Sequence, residues 1–530
     1  MSNVNRRKAL FFRGGRNGHQ SRPVAQFFER ERSIRLRLFL TLAALVLLGG
    51  RGTFAAPIAG GTSGIYNVRD FGAKGDGTTL DSPAINKAID AAALAGGGTV
   101  RLPAGTYLST SIHLKSNIAL YIDQGATLKA APFNTGMLYD APEDNPAAGA
   151  FQDFGHTHFH NSLIWGENLE NVSILGPGRI WGAGLVRDEN HPVGSGNKSI
   201  SLKLCHNVIL RDFTIQHGGW FGILATGVDN FTIDNLKIDT NRDGMDIDSC
   251  REVHVSNCTI NSPSDDGLCL KSSYGLGFAR ATQDVTITNC VVSGFTEGSV
   301  LDGTYQRGRS GKNDSGGTGR IKFGTESNGG FKNITISNCV FEYCRGLALE
   351  TVDGGPLEDI SISNITMRDI ANAPIFIRLG SRLRAPVNTP ESVVRRVNLS
   401  NFVVYNADPR YSSIISGIPG HAIEDVMLSN IQIWTKGGGT AADAAANLPE
   451  DEKGYPEPER FGTTPSYGFF LRHVHGIILD DIQLHIATPD ARPAYVLDDV
   501  TNTRVINTDN FPAVQKADSN QGKKQVAKSK

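Results

Sequence analysis

Residues 231–260 read FTIDNLKIDTNRDGMDIDSCREVHVSNCTI, and this stretch decides the fold. Its two ends, FTIDNLKI at 231–238 and VHVSNCTI at 253–260, share one pattern. Alternating apolar residues run into an Asp-Asn or Ser-Asn pair and resume beyond it. The pattern returns as VTITNCVV, ITISNCVF, ISISNITM, VNLSNFVV and VMLSNIQI, which puts the asparagines at 235, 257, 289, 338, 364, 401 and 430. The shortest intervals are 22 and 26 residues. A unit so short, made of β-branched strands, cannot bury its own apolar face and must stack on its neighbours, so the repeat reads as a β-solenoid. Asparagine tolerates a left-handed turn and can bond to the asparagine above it, so the recurring position predicts a side-chain ladder at a corner.

Outward from this core, the longer intervals hold Gly-, Ser- or Pro-rich inserts at about 271–283, 299–320, 377–396, 405–423 and 434–468. In a solenoid such inserts tend to emerge on one face, the binding face. Upstream, LDSPAINKAIDAAALA at 80–95 offers Asp81 or Ser82 as a cap, Pro83 in the first turn, and apolar residues at helical spacing before Gly96-Gly97-Gly98. It predicts an amphipathic helix over the exposed end of the first coil, with strand-like VRLPAGTYLS following. The reading is all-β, a parallel β-solenoid over 56–514 with an N-terminal capping helix.

Residues 1–37 are rich in Arg and Lys, Leu38 to Leu48 are apolar, and Thr53-Phe54-Ala55 offers small residues at cleavage-site spacing. That is the layout of a secretory signal over 1–55, and the apolar run is too short for a bilayer span. A secreted or periplasmic protein is expected, with no membrane partner once the signal is removed. Arg6-Arg7 hints at a twin-arginine route, and a start codon placed too far upstream is an equal alternative. The polar, basic 515–530 is predicted to be disordered. A net charge of −1 over 530 residues gives no electrostatic reason to expect nucleic acid. The chain is expected to be a monomer. Seven cysteines, at 205, 250, 258, 269, 290, 339 and 344, are odd in number and irregular in spacing. Three follow the repeat asparagine (VSNCTI, ITNCVV, ISNCVF), which suits buried small hydrophobes rather than disulfides. No CxxC or His/Cys pattern suggests structural zinc, and no cofactor is expected.

Two neighbouring coils carry most of the acid groups, as NRDGMDID at 241–248 and SDDGLCLK at 264–271. Asp243 and Asp265 are 22 residues apart, the shortest repeat interval. One coil then separates them, placing their strands about 4.8 Å apart. Asp266 lies beside Asp265, and three carboxylates so close repel, so at least one must hold its proton more tightly. A protonated acid beside an ionised carboxylate is what glycosidic hydrolysis requires. A lone Asp at a solenoid turn more often bonds backbone amides, and Asp pairs can hold calcium. N-x-D-G followed one coil later by D-D-G points instead to catalysis.

At these residues the chain resembles glycoside hydrolase family 28, the polygalacturonases and rhamnogalacturonan hydrolases. The resemblance is carried by YNVRDFGAKGDGTTLDSPAINKAID at 66–90, GPGRIWGAG at 176–184, NRDGMDID and SDDGLCLKSS, and it covers about 66–370. It implies a right-handed parallel β-helix, a plant cell-wall polysaccharide as substrate, and inverting hydrolysis without a metal. Asn241-Arg242-Asp243 match the family's Asn-Thr-Asp, and Asp265-Asp266 match its Asp-Asp pair. By that match Asp265 is the general acid, while Asp243 and Asp266 hold and activate water. The family's Gly-His-Gly falls on Thr318-Gly319-Arg320, before Phe323-Gly324-Thr325, without the histidine. Its Arg-Ile-Lys, which binds a galacturonate carboxylate, falls on Ala348-Leu349-Glu350. A site that loses two cations and gains an anion should reject a sugar carboxylate by several kcal/mol. Ordinary endo-polygalacturonase activity is therefore not expected, and rhamnogalacturonan or a decorated galacturonan is favoured.

Replacement cations lie nearby: Arg320 and Lys322 in the strand that lacks the histidine, Lys271 after the Asp pair, and Arg378, Arg382 and Arg384 in IRLGSRLRAP. One or two should meet substrate, beside Asn241, and Glu350 suits the hydroxyls of a neutral sugar such as rhamnose. His156, His158 and His160 alternate in GHTHFH and would share one face of an extended segment, at the rim of a cleft rather than around zinc. Trp220 reads either as a sugar platform or as a core aromatic. Two rivals remain at this point: a calcium-dependent polysaccharide lyase on the same fold, and a non-catalytic carbohydrate-binding β-helix.

Overall fold

A computed structural model describes residues 64–187, 192–308, 317–511 and 525–526. The predicted signal segment 1–55 lies outside them. So does the predicted disordered tail 515–530, apart from Gln525–Val526, which pair antiparallel with the strand Tyr495–Ile506. Every other strand pairing is parallel, and each strand pairs with its counterpart one coil away. Repeated down the chain, this makes a parallel β-helix of three sheets, as the repeat requires.

The first sheet, here the site sheet, runs through Ile164–Glu167, Lys198–Lys203, Phe221–Thr226, Asp243–Asp248, Leu268–Ser272, Ile321–Ser327, Leu347–Thr351, Ile375–Leu379 and Ser413–Ser416, and ends on the starts of the last two long strands. The second sheet contains the segments before each repeat asparagine, and the third those after it. Alternation sends every second side chain inward. Ile247, Leu270, Phe323, Leu349, Ile377, Ile415 and Leu471 therefore stack in one file, all fully buried. Each such burial contributes about 1.5–3 kcal/mol before chain entropy is counted.

The asparagines form the ladder that their recurrence predicts. Asn364 donates to Asn338 at 3.0 Å, Asn401 to Asn364 at 3.0 Å and Asn430 to Asn401 at 2.8 Å. All seven have φ between 50° and 60°, which few other side chains adopt cheaply. A second file, Asn117, Asn171, Asn207 and Asn230, is bonded in the same way at the corner that enters the second sheet. All seven cysteines are free and buried. Cys258, Cys290 and Cys339 each donate Sγ–H to the carbonyl two residues before, at 3.2–3.3 Å.

The capping helix is Ser82–Leu94, with Asp81 at its N-cap and Ile85, Ala88, Ile89 and Ala92 on its buried face. The Asp81 carboxylate does not cap the helix; it accepts from the Lys74 and Gly75 amides and fixes the turn before it. The inserts border the site sheet on both edges, at 273–281 and 380–392 after its strands and at 294–308, 317–320 and 438–468 before them. One expected insert, 405–423, is interrupted: Ser413–Ser416 is a strand of the site sheet. Its short SIIS sequence is surrounded by Pro, Gly and Ser and reads as loop, but strands above and below supply its partners. A further excursion that the spacing did not predict, 131–163, leaves before Ile164–Glu167 and crosses the same face.

Candidate active site

On the site sheet, Asp246 and Asp248 project outward from the strand Asp243–Asp248, Lys271 from the next, and Arg320 and Lys322 from the one after. Met245 pairs with Leu268, a spacing of 23 residues, so Asp243 stands level with Asp266 rather than with Asp265. Asp239 and Asn261 in the same two coils are still 22 apart. The extra residue is absorbed between them and bulges Asp265 outward: its side chain is 29% exposed, that of Asp266 only 5%. The glycine of each Asp-Gly pair answers to close stacking. A Cβ on Gly244 would lie 2.4 Å from the Gly267 carbonyl oxygen, and one on Gly267 2.9 Å from that of Gly319.

One oxygen from each of Asp243, Asp265 and Asp266 lies within 4.8 Å of the others. Their environments differ. Burial and the neighbouring Asp265 and Asp246 carboxylates push Asp243 well above the usual carboxylate range. Asp266 is buried as well, yet Lys322 and Arg320 hold it down at about 2. Arg320 Nε donates to Asp266 at 2.8 Å, and Lys322 Nζ lies 3.4 Å from its other oxygen. Asp265 accepts from Arg242 at 2.8 Å, and that guanidinium rests on the Trp220 ring, 4.9 Å from its centroid. The cluster thus combines a carboxyl raised by burial and its acidic neighbours, a carboxylate held low by two cations and an accessible third group. Among the described residues, it is also the one group of three acids or histidines placed to share an ion.

The remaining predicted residues divide. Arg320 and Lys322 join the cluster but are 1% exposed, and Glu457 of the 434–468 insert binds Arg320 from above. Tyr455 of the same insert accepts from Lys322 at 3.2 Å. Glu350 is fully buried below them, 3.5 Å from Lys322. Asn241 lies in the turn that delivers Asp243, its carbonyl accepting from Ser264. Lys271 sits toward the other edge, bonded to Glu326 at 2.7 Å and 3.7 Å from Asp246. Arg378 is not a substrate-facing cation. It is buried under the 434–468 insert, bonded to Ser416 and the Gly417 and Glu450 carbonyls, and stacked on Phe461. Arg382 and Arg384 are likewise consumed, by Asp353 and Glu326.

The three histidines do not share a face, because residues 154–157 form a helical turn rather than a strand. His156 reaches Asp246 at 3.5 Å, His158 stacks on Phe154, and His160 stacks on Trp165. Trp220 is a core aromatic, 4% exposed and packed with Phe159, Phe221 and Leu224. The sequence reading missed Asp246, and with it the partner that His156 meets. Asp246 was findable, since it alternates with inward Met245 and Ile247. Glu457 and Tyr455 carried no signal.

Glu350 supplies a pH-dependent expectation. Burial outweighs the nearby Lys322 and Arg320 and raises its carboxyl to about 8. Between the ordinary value and 8 the unfolded chain loses this proton and the folded chain keeps it. Stability therefore falls as pH rises through that window. Glu350→Gln should match the wild type in thermal midpoint at pH 4 and exceed it at pH 9; thermal denaturation at both pH values checks this.

Comparison with known proteins agrees with this fold. A family model described as rhamnogalacturonase A/epimerase, pectate lyase-like, matches residues 65–165, and one for the right-handed β-helix region matches 188–313. A probable polygalacturonase of Vitis vinifera is 24% identical over 69% of this chain and 73% of its own length. An exo-poly-alpha-D-galacturonosidase of Dickeya chrysanthemi is 25% identical over 52% of this chain and 40% of its own. Among solved structures, the hyperthermoactive exopolygalacturonase of Thermotoga maritima superposes with a TM-score of 0.56 at 20% identity, over 84% of this chain and 92% of that one. These matches give the helix its right hand.

Proposed function

We propose that this chain, a member of the pectin lyase-like superfamily allied to glycoside hydrolase family 28, is an exported hydrolase of a pectin-type polysaccharide. The observation that carries the reading is the split within the carboxylate cluster: Asp243 raised, Asp266 held ionised at about 2, and Asp265 projecting between them toward solvent. Asp265, the most accessible, delivers the proton to the leaving oxygen. Asp243 and Asp266, beneath it, hold the water, and the ionised Asp266 takes its proton. The spacing, at most 4.8 Å between nearest oxygens, is shorter than the roughly 6.5–9.5 Å usual for inverting pairs. Inversion therefore rests on the family resemblance and is read directly from the anomer first released.

Charge counting supports the substrate preference. With Glu350 protonated below about pH 8, Arg320, Lys322 and Arg345 face Asp266, Glu457 and Glu459, three cations against three carboxylates. No positive charge is left over there for a uronate, which favours a neutral sugar at that subsite and hence rhamnogalacturonan or a substituted galacturonan. The same cations disfavour calcium at the cluster, since they already occupy the charge that a dication would need. The 131–163 excursion, tied across the sheet by Gln152–Asn328 and Asp153–Arg384, and the 434–468 insert narrow the cleft, which suits release from chain ends.

The test incubates the protein with rhamnogalacturonan and polygalacturonate, with and without chelator, and follows products by chromatography and proton NMR. Saturated short products, chelator-resistant, with the inverted anomer appearing first, are expected. Unsaturated products lost on chelation would replace this reading with the lyase, and a ladder of internal cuts at the earliest times would remove the chain-end assignment.

A further inference from the structure

We propose a second, non-catalytic saccharide site on the outer face of the third sheet, separated from the carboxylate cluster and selective for an acidic oligosaccharide. The floor of this groove is three successive strands, Ala126–Ala130, Arg179–Trp181 and Thr214–Gln216, stacked in register so that Thr127, Arg179 and Thr214 form one outward file. Its wall is the segment 297–302. That wall is fixed from below: the buried Asp239 carboxylate accepts from the amides of Gly298, Val300 and Leu301 at 2.8–3.0 Å. Glu297 is fixed from the side by Arg187 at 2.6 Å and His217 at 2.8 Å. The open groove holds about 680 Å³, within the range of about 300–1,000 Å³ usual for small-ligand sites.

Arg179 gives the groove its chemistry. Its guanidinium donates to Gln216 at 3.1 Å and to Thr127 at 3.4 Å, and it lies 5.4 Å from the centroid of the Trp181 ring. These contacts orient the fork, yet among the described residues Arg179 makes no ion pair. The groove is lined by the Asp302 carboxylate too, so the match is made at the fork itself: a held guanidinium without an ion pair suits a carboxylate. Thr214, Gln216 and the Glu297 carboxylate supply donors and acceptors for hydroxyls. The rung spacing of about 4.8 Å repeats these groups on the scale of successive sugar rings. A uronate-containing chain meets that pattern: its carboxylate on Arg179, its hydroxyls along the file. Such a site would hold a polysaccharide near the enzyme and raise its effective concentration at the cleft. It goes beyond the hydrolase reading and does not depend on it.

The experiment is calorimetric titration of a saturated galacturonate hexamer, and of a neutral galactose hexamer, into Asp265→Asn protein with and without Arg179→Ala or Gln216→Ala. The Arg179→Ala change should weaken one class of galacturonate sites at least tenfold, Gln216→Ala should weaken the same class, and the neutral hexamer should not bind that class. Each variant's thermal midpoint should be unchanged, and Arg179→Ala in the otherwise wild-type protein should leave kcat on short substrates unchanged. If the protein hydrolyses nothing but Arg179 still governs galacturonate binding, this proposal stands and the hydrolase reading falls. If hydrolysis is present and both variants titrate as their parent does, the second site is overturned. Equal binding of the neutral hexamer at this site would overturn its selectivity for acid.

Discussion

Asp265→Asn is expected to lower kcat on the natural polysaccharide by about 10²–10⁴-fold, the share of the rate that a positioned proton donor supplies. KM should change little, because the asparagine keeps the shape and the contact with Arg242. The diagnostic part is the leaving group. An aryl glycoside whose phenolate departs without help needs no proton, so Asp265→Asn should recover most of its rate on that substrate. Asp243→Asn should not: if Asp243 holds the water, its loss is equally severe whatever leaves. The opposite pattern, rescue of Asp243→Asn alone, would move the acid role to the residue whose carboxyl burial raises. Steady-state kinetics of both variants on both substrates decides it. The comparison matters because accessibility points to Asp265 as donor while burial raises the Asp243 carboxyl. Proton exchange between two carboxyls this close reconciles the two only if each is needed.

The repetitive parts of this molecule were legible because each coil restates the same local demand. An asparagine at left-handed φ followed by a core-facing residue, cysteine at three turns and Leu, Ile or Phe at the other four, recurs at each of these turns, and one correct reading applies to all. The capping helix was equally plain, since Pro83, the triple glycine and an apolar face agree with one another. Counting residues found the acid cluster but set its register wrong by one, because a single inserted residue before Asp266 leaves no compositional trace. What was illegible comes from the inserts. Glu457 and Tyr455 sit more than a hundred residues from Arg320 and Lys322, and only folding of the 434–468 excursion over the sheet makes them partners. Arg378 was misjudged for the same reason: on the strand it faces outward, and the insert that buries it has no periodicity to announce where it will lie. The alternating histidines failed because a helical turn replaced the extended segment their spacing assumed.

Asp266→Ala should be the most destabilising change at the site, by about 3–5 kcal/mol, the usual cost of removing one partner from a buried ion pair. Arg320 and Lys322 are 1% exposed; Lys322 is held in its charged form first by this carboxylate, and Arg320 by Glu457 and then by this carboxylate. Without it, Glu457 and the largely protonated Glu350 are left to balance two buried cations, and water has little access. Asp266→Asn should cost less, since the amide oxygen can still accept from Arg320, yet it should abolish turnover just as fully, because the ionised carboxylate that holds the water is gone. Pairing Asp266→Ala with Lys322→Met should restore part of the stability and none of the activity. Denaturant titration of the three variants checks the order. If Asp266→Ala proved as stable as the wild type, the cations must find other partners or leave the interior, and the account of the cleft floor as a balanced charge lattice would fail. If instead the double variant recovered stability while Asp266→Asn kept its turnover, the lattice would stand and Asp266 would lose its place in the chemistry. Stability and catalysis are thus separable at this one residue, because the cations below it and the water above it use the same negative charge.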